Sequence, residues 1–139
     1  MSDMMQTAQD FFEACETGKG WEGCKDFCAA DASFAAQSGA IADINTLEGY
    51  CNWMQGLLGI LPDGRYELKG FAWDEARKVA LGYAVFHGTH TGEGGPMPAT
   101  GKATASDYVY SIEMNGDGKV AHMVKIWNDG HALAELGWA

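Results

Sequence analysis

The sequence predicts an α+β fold: N-terminal helices packed on a strongly curved antiparallel or mixed sheet, closed by a short C-terminal helix. Two observations carry this. Before Pro62 apolar residues recur at spacings of three and four, and after it they alternate with a period of two. The tetrapeptide Asn115-Gly-Asp-Gly118 then marks a tight hairpin between the last two alternating runs. The 139 residues suit a single domain, 1–139.

Met4, Ala8, Phe11, Phe12 and Cys15 form one apolar stripe, so residues 4–15 read as a helix that Asp3 can cap and Gly18 and Gly20 end. A second helix is expected over about 21–30, with Trp21, Cys24, Phe27 and Cys28 on one face. Residues 32–36 can form a small strand. From Thr46, a plausible N-cap, the series Leu47, Tyr50, Cys51, Met54, Leu57, Leu58 and Leu61 is the clearest amphipathic helix, and Pro62-Asp-Gly64 stops it. Residues 66–73, 79–91, 103–114 and 119–128 read as strands. In the third, Tyr108, Tyr110 and Ile112 oppose Ala105, Val109 and Ser111. In the fourth, Val120, Val124 and Ile126 oppose Ala121, Met123 and Trp127. Both faces of such a sheet need cover, and the helices can supply only one, which predicts a homodimer through the outer face. Residues 130–136 read as the closing helix, with Asn128 or Asp129 as its cap.

The formal net charge is −10, and residues 1–64 hold ten acids against two lysines. An acidic surface without a basic patch argues against nucleic-acid binding. No apolar run approaches the roughly 20 residues that span a bilayer, and the first residues do not resemble a signal peptide, so a cytoplasmic protein without membrane contact is expected. Cys15, Cys24, Cys28 and Cys51 then read as reduced and buried. Cys24 and Cys28 would share a helix face, but no histidine lies near them, so no metal is expected.

Candidate chemistry gathers at strand ends. Thr100-Gly-Lys102 fails as a phosphate loop, because Pro96 and Ala103 stand where glycine and Ser or Thr are required. His87 and His90 are three apart and face opposite sides of a regular strand, unless Gly88 introduces a bulge. His122 is either a satisfied core group or a general base. Asp107 and Asp129 are carboxylates at a strand start and a strand end, where a cavity rim would raise their basicity. Trp53, Trp73, Tyr83, Trp127 and Trp138 could line an aromatic cavity or simply fill a core.

With these residues in place, the chain resembles the SnoaL-like polyketide cyclases of the nuclear transport factor 2-like superfamily. The resemblance rests on Phe86-His-Gly-Thr-His-Thr-Gly92, Pro98-Ala-Thr-Gly-Lys102, Gly118-Lys-Val and Leu133-Ala-Glu-Leu-Gly137. It implies a cone: helices closing one side of a bent sheet around a deep apolar pocket, in a protein that often dimerises through the sheet. It also implies aldol-type closure without metal or organic cofactor, with an acid near the end of the last strand as general acid/base. Counted back from the closing Leu-Gly, that acid falls on Asn128, with Asp129 one place along.

The reading that follows is a cofactor-free cyclase, isomerase or lyase acting on a hydrophobic carbonyl compound. Asp129 is its acid/base, and His90 or His122 polarises the oxygen. Asn128, Trp127, Tyr83, Asp107 and Trp53 form the substrate-binding set. The alternative is a dimeric module of the same fold that binds an apolar small molecule without chemistry. A third reading is an interaction domain with a vestigial cavity.

Overall fold

The computed structural model describes residues 2–139. Helix α1 (Ser2–Glu16) is followed by the short α2 (Gly20–Cys24), a 3-10 turn (Lys25–Phe27) and strand β1 (Cys28–Gln37). A second 3-10 turn (Gly39–Ile41) leads to α3 (Leu47–Ile60). Strands β2 (Arg65–Asp74), β3 (Val79–Thr89), β4 (Ala103–Met114) and β5 (Val120–Trp127) follow, and α4 (Asp129–Leu136) closes the chain. The sheet order is β1-β5-β4-β3-β2. β1 runs parallel to β5 and every other pair is antiparallel.

Local signals work as expected in α3 and at the last hairpin. Thr46 Oγ1 accepts from Gly49 N at 3.0 Å, a cap that contributes on the order of 1 kcal/mol. Leu47, Tyr50, Cys51 and Met54 are buried on one face. Asn115 Oδ1 accepts from Asp117 N at 2.9 Å and Lys119 N at 3.0 Å, which pins the hairpin.

Several expectations need correction. α1 begins at Ser2, so Asp3 lies in its first turn instead of capping it. The second helix stops at Cys24, and Cys28 opens a ten-residue strand, because the segment is taken into the parallel ladder with β5. Cys24 and Cys28 therefore do not share a helix face. Of the two caps expected for α4, Asn128 is the one used: its Oδ1 accepts from His131 N.

The inner face of the sheet meets the helices in one core. Tyr108, Tyr110 and Ile112 of β4 point inward, with Phe12 of α1 stacked on Tyr110 at 4.5 Å between centroids. Gly82 belongs to this packing, since a Cβ there would lie 2.7 Å from the Tyr110 ring. In β5 a register shift opposite Glu113 and Met114 changes the phase. Val120 joins Met123 inside, and His122, Val124 and Ile126 turn outward. The sequence reading had placed Val120 with Val124, because period two does not register a bulge.

On the outer face Tyr83, Val109 and Ile126 are cross-strand neighbours in one row, 40%, 38% and 54% exposed. Leu81 beside them is 48% exposed. Among the described residues no helix is long and apolar enough to cross a membrane.

Candidate functional site

A cavity of about 470 Å³ opens between α3, the inner face of β3–β5, the 91–101 loop and α4. Trp53, Leu57 and Trp127 line one part and Leu133, Leu136 and Trp138 another, so the walls are mostly apolar. Glu93 is the one carboxylate in this lining, and Ala40 borders the opening. The loop lies close over α3. Gly92 N donates to Ile60 O at 2.9 Å, and a Cβ at Gly92 would overlap the Gly59 carbonyl.

The expected site residues divide between the two faces of the sheet. Trp53 and Trp127 line the cavity, and Trp127 Nε1 donates to Ser106 Oγ at 3.2 Å. His90 is fully buried and points inward. Its Nδ1 accepts from Trp138 Nε1 at 2.9 Å and Thr100 N at 3.2 Å. Two donors on Nδ1 assign the ring proton to Nε2, and that buried Nε2 has no partner. A Cβ on Gly95 would lie about 3.0 Å from it, so a side chain there would crowd this nitrogen. His87, three residues earlier, points outward to Glu67 Oε1 at 3.1 Å, and β3 pairs with β4 without a bulge at Gly88.

His122, Tyr83, Asp107 and Asn128 are not in the cavity. His122 is turned outward by the β5 phase change and meets Ser33 Oγ through Nδ1 at 2.7 Å. Tyr83 and Asp107 sit on outward positions of β3 and β4. Asn128 borders a small outer hollow with Ala105, Asp107 and His131. Trp73 and Tyr83 are likewise outside the aromatic lining. Asp129 turns back toward the rim, where Oδ2 accepts from Ala40 N at 2.6 Å and Oδ1 from Gly130 N at 3.0 Å. Asn128 caps α4 and Asp129 is its first residue, so the two side chains leave the chain in different directions. Asp129 lies beside the opening with both oxygens already bonded.

Sequence reasoning missed the most unusual feature. Lys125 of β5 points inward and is only 4% exposed. Its Nζ donates to Tyr50 Oη at 2.8 Å, and Tyr50 donates to Glu16 Oε2 at 3.1 Å. Glu16 is 2% exposed, and its Oε1 has no partner. Around Nζ stand the rings of Tyr108 (4.8 Å), Tyr50 (5.0 Å), Trp127 (5.1 Å) and Trp53 (5.6 Å). Burial lowers the lysine's pKa, opposed by the charge of Glu16. Burial raises the Tyr50 and Tyr108 hydroxyls well above their ordinary range.

A separate cluster lies where α1, α2 and α3 meet. The sulfurs of Cys15, Cys24 and Cys51 are all within 4.8 Å of one another, a donor set suited to a soft cation. All four cysteines are free and buried, and none lines the cavity. Cys15 Sγ donates to Cys51 Sγ at 3.7 Å, and hydrogen bonding within the cluster holds the Cys24 thiol below its ordinary pKa.

Comparison with known proteins gives a consistent picture. The family model described as SnoaL-like polyketide cyclase matches residues 6–136. No curated protein matches the chain by sequence. Among solved structures, IdmH from Streptomyces antibioticus, a candidate polyketide cyclase, superposes with a TM-score of 0.77 at 22% identity, covering 96% of this chain and 98% of that one. AclR from Streptomyces galilaeus, a candidate hydroxylase, gives 0.79 at 19% identity over 100% and 83% of the two chains. BvnE pinacolase from Penicillium brevicompactum gives 0.71 at 7% identity over 94% and 86%. At these identities the solved structures establish a shared fold.

Proposed function

The chain belongs to the SnoaL-like polyketide cyclase family, and from that membership and the cavity together we infer that it binds a hydrophobic carbonyl compound and moves protons on it without a cofactor. The observation that carries this reading is an apolar cavity of about 470 Å³ with a single carboxylate, Glu93, in its lining. Abstraction of a proton beside a carbonyl needs a base, and the developing oxyanion needs a donor. Glu93 takes the role of base that the sequence suggested for Asp129, because Glu93 faces the cavity and both Asp129 oxygens are engaged by N–H groups. Asp129 then holds the Ala40 turn in place. His90 offers its unpaired Nε2–H to the substrate oxygen when the Gly94–Gly95 backbone shifts. Trp53, Trp127 and Trp138 hold the apolar body of the substrate.

Exchange of the α-hydrogens of β-tetralone in deuterated water, followed by NMR, tests this. The protein is expected to accelerate exchange, Glu93→Gln to remove about 10²-fold or more of the acceleration, and Asp129→Asn to change it far less. The reverse order of the two variants returns the base to Asp129. β-Tetralone bound but not exchanged would favour the second reading, a binding module without chemistry. That reading has its own support in Asn128, which caps α4 at the position where the family expects its acid.

The exposed row Tyr83, Val109 and Ile126 suits a homodimer formed through the outer face of the sheet. Sedimentation equilibrium should give a dimer for the native chain and a monomer for Ile126→Asp. The variant's circular dichroism should be unchanged, because Ile126 is 54% exposed within one subunit. A native monomer at micromolar concentration would exclude this dimer.

A further inference from the structure

We propose that Lys125 is a reactive amine behind the inner wall of the cavity, placed to join the carbonyl carbon of a hydrophobic aldehyde or ketone as an imine. The proposal rests on the reading of the cavity as a carbonyl site, and it names a covalent contact within that site. Trp53 and Trp127 belong at once to the cavity lining and to the ring cage around Nζ. A single layer of indole therefore separates the amine from the open space. The two rings meet edge to face with centroids 6.0 Å apart, and both residues are half-buried. A ligand that parts the two indoles reaches Nζ.

The surroundings of Nζ differ from those of a lysine that merely satisfies a buried acid. Among the described residues it makes one hydrogen bond, to Tyr50, and ring faces surround the rest of the ammonium group. The acid stands one hydroxyl further away, and Oε1 of Glu16 is buried without a partner. Lys125, Tyr50 and Glu16 thus form a proton path that ends on Oε2 of a carboxylate whose other oxygen, Oε1, is unengaged among the described residues.

The step balances on these groups alone. Nζ passes a proton to Tyr50 Oη as Tyr50 passes its own to Glu16, which leaves a neutral amine. The nitrogen lone pair attacks the carbonyl carbon, a C–N bond forms, and the π electrons move to oxygen. That oxygen collects the second amine proton and the proton held on Glu16, returned through Tyr50, and leaves as water. The protonated imine carries the same single positive charge as the ammonium it replaces. The ring cage and Glu16 compensate it as before, so no new charge is buried. Such an iminium withdraws electrons from the neighbouring carbon, which eases the proton removal proposed above.

Trapping tests this on the intact native chain. The protein is incubated with a naphthaldehyde and cyanoborohydride near neutral pH, then digested and mapped by mass spectrometry. The Lys125 peptide is expected to acquire the naphthylmethyl group about tenfold faster than any other lysine peptide, because exposed ammonium groups stay protonated until about pH 10. Lys125→Arg keeps a cation in the cage and should lose the label while naphthaldehyde still quenches tryptophan fluorescence. Label on exposed lysines with Lys125 unmodified would overturn the proposal. β-Tetralone exchange reports on the cavity reading separately. Exchange without labelling of Lys125 removes the amine and keeps the carbonyl site, and labelling without exchange keeps both the site and the amine and removes the proton transfer.

Discussion

Glu16→Ala is expected to lower stability by about 3–5 kcal/mol, the usual cost of stranding one member of a buried charge pair. Glu16 is 2% exposed, and its charge reaches Lys125 through the Tyr50 hydroxyl. Without the carboxylate, a buried ammonium keeps only the four rings and one hydroxyl as compensation. The remedy open to it is loss of its proton. Burial lowers the Lys125 pKa and Glu16 raises it, so removing Glu16 lets the amine become neutral more readily. The variant's deficit in urea unfolding should therefore be smaller near pH 9 than near pH 6. Glu16→Gln combined with Lys125→Met should recover much of the loss, since two neutral side chains need no mutual compensation. A double variant as unstable as the sum of its parts would show that the two charges do not sense each other.

Much of this arrangement could be read in the sequence, and the reasons for the rest are physical. Glu16 continues the series Ala8 and Phe12 at spacings of four, so its place on the buried stripe of α1 was visible. Lys125 lies two residues from both Met123 and Trp127, and period two alone puts it on their face. Its charge argues the other way, because lysine is seldom fully buried. The β5 bulge had no such mark, because it depends on pairing with β4, and it sent His122 to the outer face. β1 was underestimated for a similar reason. Its pairing with β5 joins residues about ninety apart in sequence, and nothing local at Cys28–Asp31 announces it. The sequence places Asn128 and Asp129 where the resemblance implies an acid, but which of them faces the rim depends on how α4 leaves β5, which has no local mark.

Alkaline pH is expected to unfold the protein steeply, and the buried tyrosines determine where. Tyr50, Tyr108 and Tyr110 all have pKa values raised above their ordinary value, with burial the first cause in each and the negative charge of Glu16 the next. A raised pKa means that the folded chain keeps its phenol protons while the unfolded chain releases them. The stabilisation is therefore complete below the unfolded value near pH 10 and is lost as pH climbs above it. Each such group contributes a slope of about 1.4 kcal/mol per pH unit, so three together give about 4. The thiols of Cys15, Cys28 and Cys51 are also raised, and their loss begins about one unit lower. Lys125 acts in the opposite sense, because a lowered lysine pKa favours the fold as pH rises. Its effect ends near pH 10.4, where the unfolded lysine also becomes neutral. Above that pH nothing in this group opposes the phenols. Phenolate absorbance should consequently show a late stage that coincides with loss of circular dichroism, as Tyr50, Tyr108 and Tyr110 are released together. Smooth ionisation of all five tyrosines with the fold intact would mean that the cage around Lys125 admits water.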